Sequence, residues 1–140
     1  MGVVSAKLGI ANPLNPTRGT TVELLVDTGA LYSVLPRRVL TELGIEPFER
    51  KVFKTADGRQ IERAVGEAVF AFNSERGISK VVFGDERDAS VLGVTALEEL
   101  GLEVDPASRK LRPSTLFLYS SWHGFSRAEP ASPFFLGFSP

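Results

Sequence analysis

The chain has 140 residues, of which 43% are hydrophobic and 24% charged, and a formal net charge of −1. That length suits one domain with a real core but not two, and the charge balance leaves no electrostatic footprint for nucleic acid or an anionic membrane. With no cysteine and a single histidine, His123, the chain offers no disulfide, no thiolate or multi-histidine metal site and no cysteine nucleophile.

Val3 to Ile10 is apolar with partial alternation and reads as a first strand. Asn12-Pro13-Leu14-Asn15-Pro16-Thr17-Arg18-Gly19 is dense in turn formers and reads as a loop. Thr20 to Asp27 reads as a second strand, giving a hairpin that delivers Asp27. Val22, Leu24 and Val26 alternate on one face and Leu25 is apolar on the other, so this strand is expected to be buried on both sides. Leu31 to Leu35 reads as a short third strand. Pro36 then opens a helix over Arg37 to Leu43, with Val39, Leu40 and Leu43 as its apolar face and Gly44 as its stop.

Phe48 to Ile61 reads as strand, turn and strand, and Ala56-Asp57-Gly58-Arg59 carries the Asp-Gly signal of a tight hairpin. Val65 to Phe72 continues the sheet, Asn73 to Gly77 turns it, and Ile78 to Phe83 is a further strand. Gly84-Asp85-Glu86-Arg87-Asp88 reads as a solvated charged turn, because Gly84 and Arg87 interrupt the acids and no calcium-ligand spacing follows. Ala89 to Gly93 is a short apolar strand ending in glycine. A second helix is expected over Ala96 to Leu100, with Thr95 and Glu98 spaced as a capping box and Gly101 as its stop. Leu102 to Val104 and Arg109 to Arg112 read as strands around the turn Asp105-Pro106-Ala107-Ser108. The chain is therefore expected to be mostly β, with two short helices, as a closed or nearly closed β fold.

This pattern stops near Pro113. Residues 114–140 hold Phe117, Tyr119, Trp122, Phe125, Phe134, Phe135 and Phe138 but only two formal charges, Arg127 and Glu129, and keep no period. The expected organisation is a domain over residues 1–113 and an aromatic-rich tail over 114–140 with no assigned role. No run of about 18 apolar residues is present, so no membrane-spanning helix is expected. The opening residues lack a basic-then-apolar leader, and the expected location is the cytoplasm.

The sharpest stretch is Leu24-Leu25-Val26-Asp27-Thr28-Gly29-Ala30, where an apolar strand runs straight into an acid, a hydroxyl and a glycine. A carboxylate at the end of a buried strand is costly unless it is paired, hydrogen-bonded or protonated. An Asp followed closely by Gly is most often a turn. Here the triplet is flanked by apolar strands, Leu31-Tyr32-Ser33-Val34-Leu35-Pro36 following it, and not by a polar loop. With these flanks the stretch resembles the active-site loop of the retropepsin-like aspartic peptidases, the single-lobed relatives of retroviral proteases. Their pattern is two apolar residues, Asp-Thr-Gly, then Ala or Ser. Their second signature, two apolar residues and a glycine leading into a helix beside the active-site loop, is similar to Val91-Leu92-Gly93. Between the two the family places a flap hairpin that closes over substrate, and Ala56-Asp57-Gly58 is similar to it in position and type. The resemblance covers about residues 3–112 and leaves the tail unexplained.

The resemblance implies the acid-protease fold, a closed β-barrel, and hydrolysis of peptide bonds without a metal or other cofactor. Two facing carboxylates sharing one proton can activate water and protonate the leaving amine. One triplet per chain then implies a symmetric homodimer acting on a polypeptide, with one Asp27 from each subunit. By the same resemblance Thr28 hydrogen-bonds across the two-fold axis, Gly29 lets substrate backbone approach, and Ala30 stands where some members carry serine. Two other readings stay open. One is a dimerisation or peptide-binding module of the same fold with little hydrolysis, since fold does not guarantee activity. The other is an unrelated small β-barrel in which Asp27 is a turn residue.

Overall fold

The computed structural model describes residues 3–118. Among these residues the elements follow in the order β1 (Ser5–Asn12), β2 (Asn15–Val26), β3 (Ser33–Pro36), α1 (Arg37–Glu42), β4 (Glu49–Lys54), β5 (Gln60–Phe72), β6 (Glu75–Gly84), β7 (Val91–Leu92), α2 (Val94–Leu100), β8 (Leu102–Asp105) and β9 (Lys110–Pro113). The mostly β expectation is met. Seven strands form one sheet in the order β1-β2-β7-β3-β6-β5-β4, and β8 and β9 form a separate hairpin. β1 also pairs with β5 through Gly9↔Ala71, Ile10↔Phe70 and Ala11↔Val69. Pairing therefore runs from β1 through β2, β7, β3, β6 and β5 back to β1, with β4 an outer strand on β5.

Alternation along the strands decides what the ring encloses. Leu8 and Ile10 of β1, Leu24 of β2, Leu35 of β3, Phe70 of β5, Val81 of β6 and Leu92 of β7 are buried in one cluster with Leu40 of α1 and Leu100 of α2. Each such side chain stabilises the fold by about 1.5–3 kcal/mol through removal of its apolar surface from water. α1 begins after Pro36, whose missing N–H would be unpaired there anyway. Gly101 ends α2 in the left-handed conformation, φ +68°, where a side chain would be strained.

The structure departs from the sequence reading at several points. The expected loop over Asn12 to Gly19 is only a turn at Pro13 and Leu14, and Leu14 N–H donates to Asn12 Oδ1 at 2.9 Å. Asn15 to Gly19 belongs to β2. Its register jumps from Asn12↔Asn15 to Ala11↔Gly19, so Pro16, Thr17 and Arg18 bulge out of the ladder. A bulge accommodates a proline, which has no N–H to give. β2 is not buried on both sides: Leu24 is inaccessible but Leu25 is 42% exposed. Residues 60 to 72 form one continuous strand. The Asp57-Gly58 hairpin is wider than a two-residue turn. Lys54 pairs with Gln60, Gly58 N–H donates to Thr55 O at 2.9 Å, and Gly58 sits at φ +89°. With Thr55 N–H donating to Arg59 O at 2.8 Å, this leaves a three-residue loop over 56–58 that ends in a left-handed glycine. α2 starts two residues earlier than expected, with Gly93 as N-cap and no side-chain cap, so no capping box forms at Thr95. The Gly84–Asp88 turn is not simply solvated, because Asp85 and Asp88 are paired with arginines.

Past β9, Ser114 N–H donates to Gly101 O at 2.8 Å, and a Cβ on Gly101 would lie 3.7 Å from Leu116 Cδ1. His123 and the tail's aromatic residues from Tyr119 onward lie outside the described residues.

Candidate active site

β2 and β7 run parallel, with Leu25 beside Val91 and Val26 beside Leu92. At the end of this pairing Asp27 N–H donates to Leu92 O at 3.0 Å, and the chain turns at once, Ala30 N–H donating to Asp27 O at 3.1 Å. Inside the turn Gly29 N–H donates to Asp27 Oδ1 at 2.9 Å. A short acidic side chain bonding the backbone two residues on is an Asx turn, and here it fixes the direction of the carboxylate. A Cβ on Gly29 would stand 3.3 Å from that same oxygen. Asp27, Thr28 and Gly29 are all exposed.

The exit from the loop is fastened as firmly. Val94 N–H donates to Ala30 O at 2.8 Å and Thr95 N–H to Leu31 O at 3.0 Å. The Thr95 hydroxyl donates to the same Leu31 carbonyl at 2.9 Å and accepts from the Ser79 hydroxyl at 3.1 Å. Gly93 N–H donates to Ser33 Oγ at 2.9 Å, and Ser33 is fully buried. Gly93 packs so closely that a Cβ there would lie 2.6 Å from Tyr32 C and 2.7 Å from Tyr32 O. The structure thus brings Asp27, Thr28, Gly29 and Ala30 against Val91, Leu92 and Gly93. Ser33, Ser79 and Thr95 complete the arrangement, and the sequence reading missed all three. A signal existed for Ser33, the one small polar residue in the run Leu31 to Leu35, since a buried polar side chain needs a partner.

Ala56, Asp57 and Gly58 stand apart, with no hydrogen bond to residues 27–30 among the described residues. Their loop is self-bonded: Thr55 N–H donates to Arg59 O at 2.8 Å, the Thr55 hydroxyl donates to the Asp57 carboxylate, and Arg59 Nε donates to Asp57 Oδ2 at 3.1 Å. The Thr55 bond first, and then the Arg59 bond, hold the Asp57 carboxyl below the usual carboxylate range. The link from this hairpin to the Asp27 loop is aromatic. The Tyr32 and Phe53 rings meet edge to face at 6.3 Å. Lys80 Nζ lies 5.6 Å from the Tyr32 ring centre and donates to Glu49 Oε2 at 3.0 Å, and that bond raises the Lys80 pKa. Among the described residues no three His, Cys, Asp or Glu side chains are grouped to hold a metal ion.

Residues 17–99 match the model of a family described as "gag-polyprotein putative aspartyl protease". Two solved structures are similar to this chain. The solution structure of Simian Foamy Virus (mac) protease is 18% identical with a TM-score of 0.48, over 69% of this chain and 92% of that one. The crystal structure of a retropepsin-like aspartic protease from Rickettsia conorii is 22% identical with a TM-score of 0.49, over 74% of this chain and 77% of that one. No curated protein matches. The family match spans more than half of the chain and takes in the Asp27 loop, the Asp57-Gly58 hairpin and the Val91–Gly93 segment, and the chain belongs to this gag-polyprotein aspartyl protease family.

Proposed function

We propose that the protein is an aspartic endopeptidase working as a homodimer, with the Asp27 carboxylates of two subunits flanking the scissile bond. The observation that carries the reading is an exposed carboxylate on a loop fastened at both ends, by Leu92 O and Gly29 N–H at its start and by Ser33, Gly93 and Thr95 at its exit. Catalysis by positioned groups needs such a fixed geometry. The ionised carboxylate takes a proton from water as its oxygen adds to the peptide carbonyl, and the neutral one donates to the carbonyl oxygen. The nitrogen of the tetrahedral product then receives the proton taken from water, and the C–N bond breaks as a hydroxyl proton returns to the other carboxylate, releasing an acid and an amine and restoring one ionised and one neutral carboxyl. Thr28 bonds across the two-fold axis, Gly29 leaves room for the substrate backbone, and Ala56-Asp57-Gly58 closes over the peptide. Val91, Leu92 and Gly93 hold the loop from behind.

No cofactor enters this scheme, and the substrate is a polypeptide. A cytoplasmic location without nucleic-acid partners belongs to the same proposal. Among the described residues no helix is long and apolar enough to cross a membrane.

The test is incubation with an unfolded polypeptide at mildly acidic pH, with and without a statine-type transition-state analogue. The wild-type protein should cleave, and the analogue should stop it. Asp27→Asn should lower the rate by about a thousandfold or more while leaving circular dichroism and the thermal midpoint unchanged. Cleavage retained by that variant would move the chemistry elsewhere. Tight binding of the analogue and of peptide without hydrolysis would favour a peptide-binding module.

A further inference from the structure

An open groove lies between the Thr55–Arg59 loop, the start of α1 and the Gly84–Asp88 turn, and five arginines line it: Arg37, Arg38, Arg59, Arg63 and Arg87. Three acids, Asp85, Glu86 and Asp88, share the lining. The lining therefore carries two net positive charges, against −1 for the whole chain. Part of this charge is structural. Arg63 Nε donates to Asp88 Oδ2 at 2.8 Å, and its Nη2 lies 3.5 Å from Asp85 Oδ2. Arg37 Nη2 reaches Asp85 Oδ1 at 3.2 Å. The Arg63 and Asp88 side chains are only 16% and 21% exposed, so this wall is fixed. Arg38 and Arg87 are exposed and make no ion pair with any described residue.

We propose that this groove docks an acidic segment of the polypeptide substrate, outside the catalytic loop. Calling the occupant a substrate rests on the endopeptidase reading. Guanidinium groups recognise carboxylates through paired N–H donors, and Arg38 and Arg87 are the two of the five that make no ion pair among the described residues, Arg59 being paired with Asp57. Pro36 and Ile61 add apolar lining, which suits a peptide chain better than a bare anion. Interleaved acids at Asp85, Glu86 and Asp88 disfavour a continuous polyanion such as a nucleic-acid backbone and suit separate carboxylates. Thr55 and Arg59 are the two ends of the loop assigned as the flap, and both line the groove. A polypeptide held under that loop needs only a few extended residues, at about 3.3 Å each, to reach it.

The experiment uses full-length Asp27→Asn protein and a short fluorescein-labelled peptide, an apolar pair followed by several glutamates, compared with its glutamine counterpart. Fluorescence polarisation should show the glutamate peptide binding about tenfold more tightly, the value expected of two exposed ion pairs, with the gain shrinking as salt is added. Arg38→Glu/Arg87→Glu should erase the gain, and the milder Arg38→Gln/Arg87→Gln should erase most of it, which covers a reversal that fails to fold. Lys7→Glu/Arg18→Glu changes the net charge equally at exposed positions on β1 and β2 and should keep the gain. Equal binding of the two peptides, a gain that survives at Arg38 and Arg87, or equal competition by a DNA oligonucleotide overturns the proposal. Binding is measured without turnover, so failure of the endopeptidase reading appears separately, as absent hydrolysis by the wild-type protein.

Discussion

Ser33 and Gly93 decide how firmly the Asp27 loop is held, and neither carries chemistry of its own. Ser33 Oγ is the acceptor for Gly93 N–H at 2.9 Å, in a place water does not reach. Ser33→Ala leaves that N–H unsatisfied, which should cost about 1–3 kcal/mol. Gly93→Ala adds a methyl group against the Tyr32 and Leu31 backbone, at 2.6 to 2.9 Å. Backbone cannot swing away as a side-chain tip can, so about 1–3 kcal/mol is again expected, and hydrolysis should fall further than stability because the loop itself must shift. Urea midpoints and peptidase rates of both variants check this; wild-type values would mean that the loop is not anchored there. The same residues mark the limit of the sequence reading. Asp27-Thr28-Gly29-Ala30 is legible because its chemistry lies in contiguous residues. The partner of Ser33 lies 60 residues on, and no local pattern points to it. Thr95 misled outright: its spacing to Glu98 fits a capping box, but its hydroxyl bonds Leu31 O, 64 residues upstream.

Among the elements, strands with clean alternation and turns with glycine or proline were legible, since period and turn chemistry are local properties. Turn-forming residues inside a strand were not. Asn15 to Gly19 reads as loop by composition, and only the ladder to β1 makes it a bulged strand. The Gly84–Asp88 turn shows a similar override. Its acids look solvated in sequence, yet Asp88 Oδ2 accepts Asp85 N–H at 2.7 Å and Arg63 Nε at 2.8 Å, bracing the link from β6 to β7 against β5. The Arg63 bond, above all, holds the Asp88 carboxyl below the usual carboxylate range. A depressed carboxylate pKa contributes stability that is present above the unfolded value, about 3.9, and is lost as pH falls through the folded value. The bracing should thus be intact at neutral and mildly acidic pH, where hydrolysis is proposed, and should fade below about pH 4. Asp88→Asn should lower stability at pH 7 by about 1–3 kcal/mol and flatten the acid limb of the thermal midpoint. An acid limb as steep as that of the wild-type protein would assign it to other carboxylates.

At the scale of the whole molecule, one feature of the single chain looks unfinished. Leu25 is 42% exposed, Leu31 60% and Val3 75%, and all three flank the Asp27 loop, Val4 O being the acceptor for Val26 N–H. Apolar side chains gathered around a functional loop usually mark a surface that another chain covers. The expectation of a β2 buried on both faces fails in this chain, where Leu25 is exposed, and the proposed homodimer is the arrangement that would cover it. The catalytic proposal needs that partner too, because a lone Asp27 carboxyl cannot take a proton from water and give one to the carbonyl oxygen in the same step. Sedimentation at working concentration should therefore give about twice 15.2 kDa. Leu25→Glu places a charge on the outward face of β2 and leaves the buried Leu24 untouched, so it should yield a folded chain of 15.2 kDa with no hydrolysis. Dilution of the wild-type protein through its dissociation constant should lower the specific activity, because the active species forms by mass action. A specific activity that stays constant in samples sedimenting at 15.2 kDa would remove the partner subunit, and with it the shared carboxylate pair, from the mechanism.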